Sequence, residues 1–190
     1  MRTPGWRLLW FLVVAVAWTL SGTPALGAAP DAPRQNPQPR FIDNRDGTIT
    51  DLQENLIWKK KNSYQELKEW LNWEQGRKYI DALNKKHFAG YDDWRFPTRR
   101  ELRSLYDETK SVEWKYYWTT NSVHLDPIFG NTGCCFWTSE EYKKKFAYGF
   151  NFIRGQAYPS LKSGSQASQF SLTMTWPVRN IKKQDERQGK

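Results

Sequence analysis

Two basic triplets, Lys59-Lys60-Lys61 and Lys143-Lys144-Lys145, each lie beside aromatic residues: Trp58 and Tyr64 flank the first, Tyr142 and Phe146 the second. Clustered ammonium groups attract sulfate or phosphate, and a flat ring stacks on the face of a sugar. Together these are the chemistry of an anionic glycan site; the competing reading of each triplet is a solvated turn. Arg99, Arg100 and Arg103 form a third basic set. Two of them fall in the first turn of a predicted helix, where a cation opposes the macrodipole at a cost of roughly a few tenths of a kcal/mol. Cations placed against stability hint at an anionic partner.

A catalytic constellation is hard to assemble. His87 and His124 are the only histidines, and neither stands at metal-ligand spacing from another His or Cys. Ser139-Glu140-Glu141 has a hydroxyl and carboxylates but no base beside it. The Asp92-Asp93 pair reads as a cap or as a partner for Arg95, and Arg95 itself as a structural ion pair. An EF-hand built with Gly47 at its sixth position would need carboxylates at Ile42 and Gln53, so the Asp-rich stretch around Asp46 is a hairpin turn. No enzyme activity, metal or cofactor is expected. The two cysteines, Cys134 and Cys135, are adjacent. Neighbouring Cα atoms lie about 3.8 Å apart, below the usual disulfide range. Three states compete: two buried thiols, a vicinal disulfide, or a bond to another chain.

These residues need elements to hold them. In residues 1–27, Arg2 and Arg7 precede an apolar run from Leu8 to Leu20, and Ala25-Leu26-Gly27 supplies small residues at a cleavage point. That is the pattern of a secretory signal peptide, with an uncleaved anchor as the alternative. Its removal from 190 residues leaves 163 and takes the formal charge from +9 to +7. The expected location is periplasmic or secreted, with no transmembrane segment after signal removal and with nucleic acid a poor candidate partner. Residues 28–39, with Pro30, Pro33, Pro37 and Pro39, read as a linker; residues 40–181 form one domain, and 182–190 a basic disordered tail. The mature part keeps eight tryptophans, which suit either an aromatic core or sugar stacking.

Within the domain, Phe41-Ile42, Thr48 to Thr50 and Leu56 to Trp58 read as strands around turns. Ser63 with Glu66 can cap a short helix, and Asn72 with Gln75 a longer one running to about Lys86. The stretch from Ala89 to Tyr106 is the organising corner. Gly90 closes the long helix, Phe96-Pro97 is extended, and Thr98 with Glu101 forms a capping box ahead of Leu102, Leu105 and Tyr106. Gly90, Asp93, Trp94, Arg95, Pro97, Thr98 and Glu101 are therefore assigned structural roles. Later, Tyr116 to Thr119, Cys135 to Thr138, Phe146 to Ile153 and Phe170 to Val178 read as strands, Arg154-Gly155-Gln156 as a turn, and Ser160 to Ser168 as a polar loop. Two helices between strand-rich ends make the fold class α+β.

The ordered blocks Asp43 to Asp51, Leu56-Ile57-Trp58, Ala89 to Thr98 with Glu101-Leu102, Phe136 to Ser139 and Pro177-Val178-Arg179 resemble the Lcl C-terminal domain family, named for the terminal domain of a bacterial collagen-like adhesin. The resemblance covers about residues 40–181. It implies a C-type-lectin-like fold related to the formylglycine-generating enzymes, with two main helices and short antiparallel strands. In the adhesin the domain binds sulfated glycosaminoglycans. Family members often carry cysteines at positions that correspond to Ile80 and Trp176, so an apolar pair here stands where a staple would join helix to last strand.

Two functions follow. One is an exported, non-catalytic lectin-like module for anionic or sulfated glycan, using Lys59, Lys60, Lys61, Tyr142, Lys143, Lys144, Lys145, Arg99 and Arg100. The other is a protein-interaction or structural module of a bacterial envelope assembly, tethered through residues 28–39. A redox role at Cys134-Cys135 ranks third.

Overall fold

Strand-forming Thr, Ile, Leu and Trp side chains alternate with tight turns at the start of the domain and build its first sheet. The computed structural model describes residues 38–130, 133–163 and 173–182. The signal peptide, most of the linker, residues 164–168 of the polar loop, the start of the strand placed at Phe170, and residues 183–190 of the tail lie outside the described residues. Strands β1 (Phe41–Asp43), β2 (Thr48–Asp51) and β3 (Leu56–Lys59) follow one another in antiparallel register, with Phe41 opposite Asp51 and Ile49 opposite Trp58. All four residues of β3 are buried. Such a strand needs a partner on its far edge, and β10 (Val178–Asn180) supplies it, with Val178 opposite Trp58.

Between β3 and the second half come three helices, α1 (Ser63–Leu67), α2 (Trp73–Lys85) and α3 (Arg99–Leu105). Each begins with a complete capping box. Thr98 with Glu101 and Asn72 with Gln75 cap α3 and α2 as the spacing predicts. For α1 the cap is Asn62 with Gln65, one residue earlier than Ser63 with Glu66. Ser63 is turned inward, where its hydroxyl accepts a bond from the Thr175 N–H at 2.9 Å. Gly90 does not close α2. That helix ends at Lys85, and a 3-10 turn, Phe88–Gly90, intervenes with His87 (φ 48°) and Ala89 (φ 53°) also left-handed. Among the described residues there are three α-helices, the short α1 expected near Ser63 and the two after it, and the class is α+β.

The second half is antiparallel hairpins. β4 (Val112–Tyr116) pairs with β5 (Thr119–Val123), so Tyr117-Trp118 is the turn of a hairpin and not the middle of a strand. β6 (Cys135–Tyr142), β7 (Phe146–Asn151) and β8 (Gln156–Leu161) form a meander; β8 takes the first residues assigned to the polar loop. β9 (Thr173–Met174) lies parallel to β6 on its other side. Thr175, Trp176 and Pro177 separate β9 from β10, so the final segment serves two sheets instead of forming one long strand.

Six of the eight tryptophans are buried. Trp176 sits among Phe136 at 4.7 Å, Phe129 at 4.9 Å and Trp58 at 5.3 Å between ring centres. Its indole N–H donates to the Lys59 carbonyl at 2.7 Å, which satisfies the polar edge of a buried ring. A smaller cluster gathers Trp73, Ile80, Leu83, Trp94, Phe96 and Trp137. Ile80 belongs to this second cluster and Trp176 to the first. The apolar pair expected to replace a staple is therefore not one packing unit. Cys134 and Cys135 are bonded to each other, which selects the vicinal disulfide from the three states.

Candidate functional site

The corner before α3 is held from several directions. Arg95 forks onto Glu101 at 2.8 and 2.9 Å and also reaches Asn180. The Asn84 side chain clamps both the N–H and the carbonyl of Trp94, and the Pro97 carbonyl accepts from the Ser139 N–H at 2.8 Å. Burial alone would raise the Glu101 pKa, but hydrogen bonds from Arg95 and the Thr98 N–H hold it below the ordinary carboxylate value. Asp93 does not pair with Arg95. Its partner is Arg179, at 2.6 Å, with Lys182 adding a second contact at 2.8 Å. Asp93 lies beyond reach of sequence logic here because its partner is 86 residues away. Lys182, the first residue assigned to the tail, thus contacts the domain.

With the corner fixed, α3 points its basic residues outward. Arg99, Arg100 and Arg103 line a groove of about 510 Å³ whose other wall is Phe150 of β7, Gly155 of the β7–β8 turn, and Gln156 and Ala157 of β8. The arginines are ordered by partial pairing. Arg99 lies over the Tyr148 ring at 4.1 Å and contacts Glu140 at 3.4 Å. Arg103 packs over Tyr106 and donates to the Gly155 carbonyl. Arg100 pairs with Glu54 at 3.0 Å but is 84% exposed. Exposed ion pairs contribute about 0–1 kcal/mol, so a polyanion competes with them readily. The Arg99 N–H also donates to the Glu140 carboxylate at 2.9 Å. That acid meets the helix dipole from outside and offsets the cost of basic residues in the first turn.

Gly155 is required where it stands. Its φ is +62°, and an added Cβ would fall 2.6 Å from the Tyr106 ring. The turn can then bring its carbonyl onto Arg103 and close one end of the groove. Of the wall residues, Gly155 and Gln156 carry a sequence signal, the turn after Phe146 to Ile153. Phe150 and Ala157 face each other through strand register, which the sequence leaves open.

The lysine triplets are not part of this groove. Lys59 is buried, 1% exposed, with its ammonium between Glu66 and the Lys61 carbonyl and 4.8 Å from the Phe88 ring centre. Burial pushes its pKa down, against the raising effect of Glu66. Lys59 is thus removed from the surface set. Lys60 pairs with Asp43 at 2.5 Å, and Lys61 is exposed. Lys143, Lys144 and Lys145 form the exposed β6–β7 turn, with the Lys143 ammonium 5.2 Å from the Tyr142 ring centre. Among the described residues no group of three His, Cys, Asp or Glu side chains is placed to hold a metal, and no helix is long and apolar enough to cross a membrane.

A model of the Lcl C-terminal domain family matches residues 47–179, from the first turn through the Arg179 of β10. No curated protein matches the chain.

Proposed function

Because the chain belongs to the Lcl C-terminal domain family, we propose that it is an exported, non-catalytic lectin-like binding module whose ligand is an anionic, sulfated glycan held in the arginine groove. The observation that carries this reading is the convergence of Arg99, Arg100 and Arg103 on one shallow, open surface. Each guanidinium has five donors in a planar fork that matches sulfate, and the partners described above use only some of them. The C-type-lectin-like architecture is the expectation the family resemblance adds to the observed α+β class. Export is supported by the apolar run after Arg7 and by the Cys134–Cys135 bond, since disulfides persist in oxidising compartments.

Heparin chromatography with a charge-matched control tests the site. Arg99→Gln with Arg100→Ala is expected to elute at clearly lower salt than wild type. Lys144→Ala with Lys145→Ala removes the same charge from the β6–β7 turn and is expected to elute close to wild type. Equal losses in the two double variants would reduce binding to non-specific charge. If neither moves elution and a stoichiometric protein is captured from envelope extract, the envelope-assembly reading replaces this one.

A further inference from the structure

The β4–β5 hairpin ends in Tyr117 and Trp118, which are 78% and 90% exposed. A two-residue hairpin turn normally uses Gly, Asn or Asp wherever φ is positive. Here Tyr117 holds φ +52°. A bulky aromatic in the left-handed region is an outlier, and strain of this kind collects at ligand clamps. Burial does not explain it, because the ring is in water.

The two rings continue an aromatic path. Tyr117 meets Tyr116 at 4.6 Å and Trp118 at 5.7 Å. Tyr116 stacks on Trp114 at 5.3 Å and 26°, and both meet Trp70, itself stacked on Tyr64 at 4.4 Å. A groove of about 490 Å³ runs beside this path, with Tyr64, Trp114 and Tyr116 on its wall and Lys68, Glu113 and Lys115 at its polar edge. Glu113 and Lys115 contact each other at 3.4 Å. The neighbouring strand β5 presents Thr119, Thr120 and Ser122 to solvent.

We infer that this face binds a neutral oligosaccharide of β-linked, all-equatorial pyranose units, stacked on Tyr117 and Trp118 and continuing into the groove. Such sugars offer an apolar face of axial C–H bonds to the rings and a rim of hydroxyls to Thr119, which lies opposite Tyr116 on the same face, and to Lys68 at the groove edge. An apolar partner would leave those polar groups without bonds, and Glu113 offsets one of the groove's two lysines, so a sulfated chain meets fewer unopposed cations here than along the three arginines of α3. The site shares no lining residue with the arginine groove, so the two stand or fall separately.

Isothermal titration calorimetry of the full chain with cellohexaose and with chitohexaose tests it. Wild type is expected to bind at least one saturably, and Trp118→Ala to weaken that binding by about tenfold or more. Arg100→Ala is expected to leave it unchanged. Tyr117→Gly relieves the backbone and is expected to raise the thermal midpoint while weakening the sugar, a combination that a purely structural turn does not give. No saturable binding by wild type, or equal binding by Trp118→Ala, overturns the proposal. So does a dimer in sedimentation, or flotation with phosphatidylcholine–phosphatidylglycerol vesicles, that Trp118→Ala abolishes while hexasaccharide binding is absent.

Discussion

Replacing Glu101 tests how the corner before α3 is held. Its carboxylate accepts the Thr98 N–H at 2.8 Å and both fork nitrogens of Arg95 at 2.8 and 2.9 Å. Loss of the capping bond costs about 1 kcal/mol. Charge-assisted bonds contribute roughly 1.5–3 kcal/mol, but Arg95 is 35% exposed and water partly re-solvates it; about half that range is a fair share. Glu101→Ala should therefore cost roughly 2–2.5 kcal/mol, which for a domain of this size lowers the midpoint by roughly 4–10 °C. Glu101→Gln keeps an acceptor for Thr98 and loses only charge, so about 1 kcal/mol is expected. The sign with pH follows from the lowered pKa. The pairing is fully present above the ordinary value of 4.5 and is lost as pH falls through the lower folded value. Urea melts of wild type and Glu101→Gln from about pH 6 to about pH 3 should converge in the acid. A difference that stays constant with pH, or no difference at all, refutes the reasoning.

Thr98→Ala removes the other half of the capping box and is expected to cost about 1 kcal/mol without changing heparin elution; an unchanged melting curve would mean the box contributes nothing. Gly155→Ala forces a side chain into positive φ and against Tyr106, so destabilisation of about 2 kcal/mol or more is expected, along with earlier heparin elution as the Gly155 carbonyl leaves Arg103. Reduction of Cys134–Cys135 should shift the midpoint by only a few degrees. A bond between adjacent residues closes almost no loop, so the chain-entropy contribution is about 1 kcal/mol or less. A large shift on reduction would show that the bond shapes the folded state.

The capped starts of α2 and α3 and the hairpins around β2 were legible because the signals are local: Asn72 and Gln75, Thr98 and Glu101, a Gly at a turn. The α1 cap was misplaced by one residue because Asn62-Ser63 followed by Gln65-Glu66 fits the motif in two registers, and only the inward bond of Ser63 to Thr175 decides between them. Tyr116 to Thr119 has the composition of a strand; its turn depends on the pairing of Tyr116 with Thr119. Lys59 looks like its neighbours in a basic run, yet it ends a strand that lies between β2 and β10, and there the Glu66 partner meets its ammonium. The arginine set was visible as charge, while its groove exists only once β7 and β8 pack against α3.

The order of strands in the first sheet bears on how the chain acquires its structure. β3 is buried along its length, but its second edge is covered only by β10, more than a hundred residues later. β1, β2 and β3 can pair as soon as they exist, whereas the sheet stays open until Val178 to Asn180 arrive. Topology of this kind folds slowly, on the millisecond-to-second scale for distant β pairings. During that interval the uncovered edge of Leu56 to Lys59 is a template for any other extended chain. Conditions that prolong the wait, such as high concentration during refolding, should therefore divert material to aggregates. A peptide copying residues 173–182, added in excess, should recover part of it by occupying that edge.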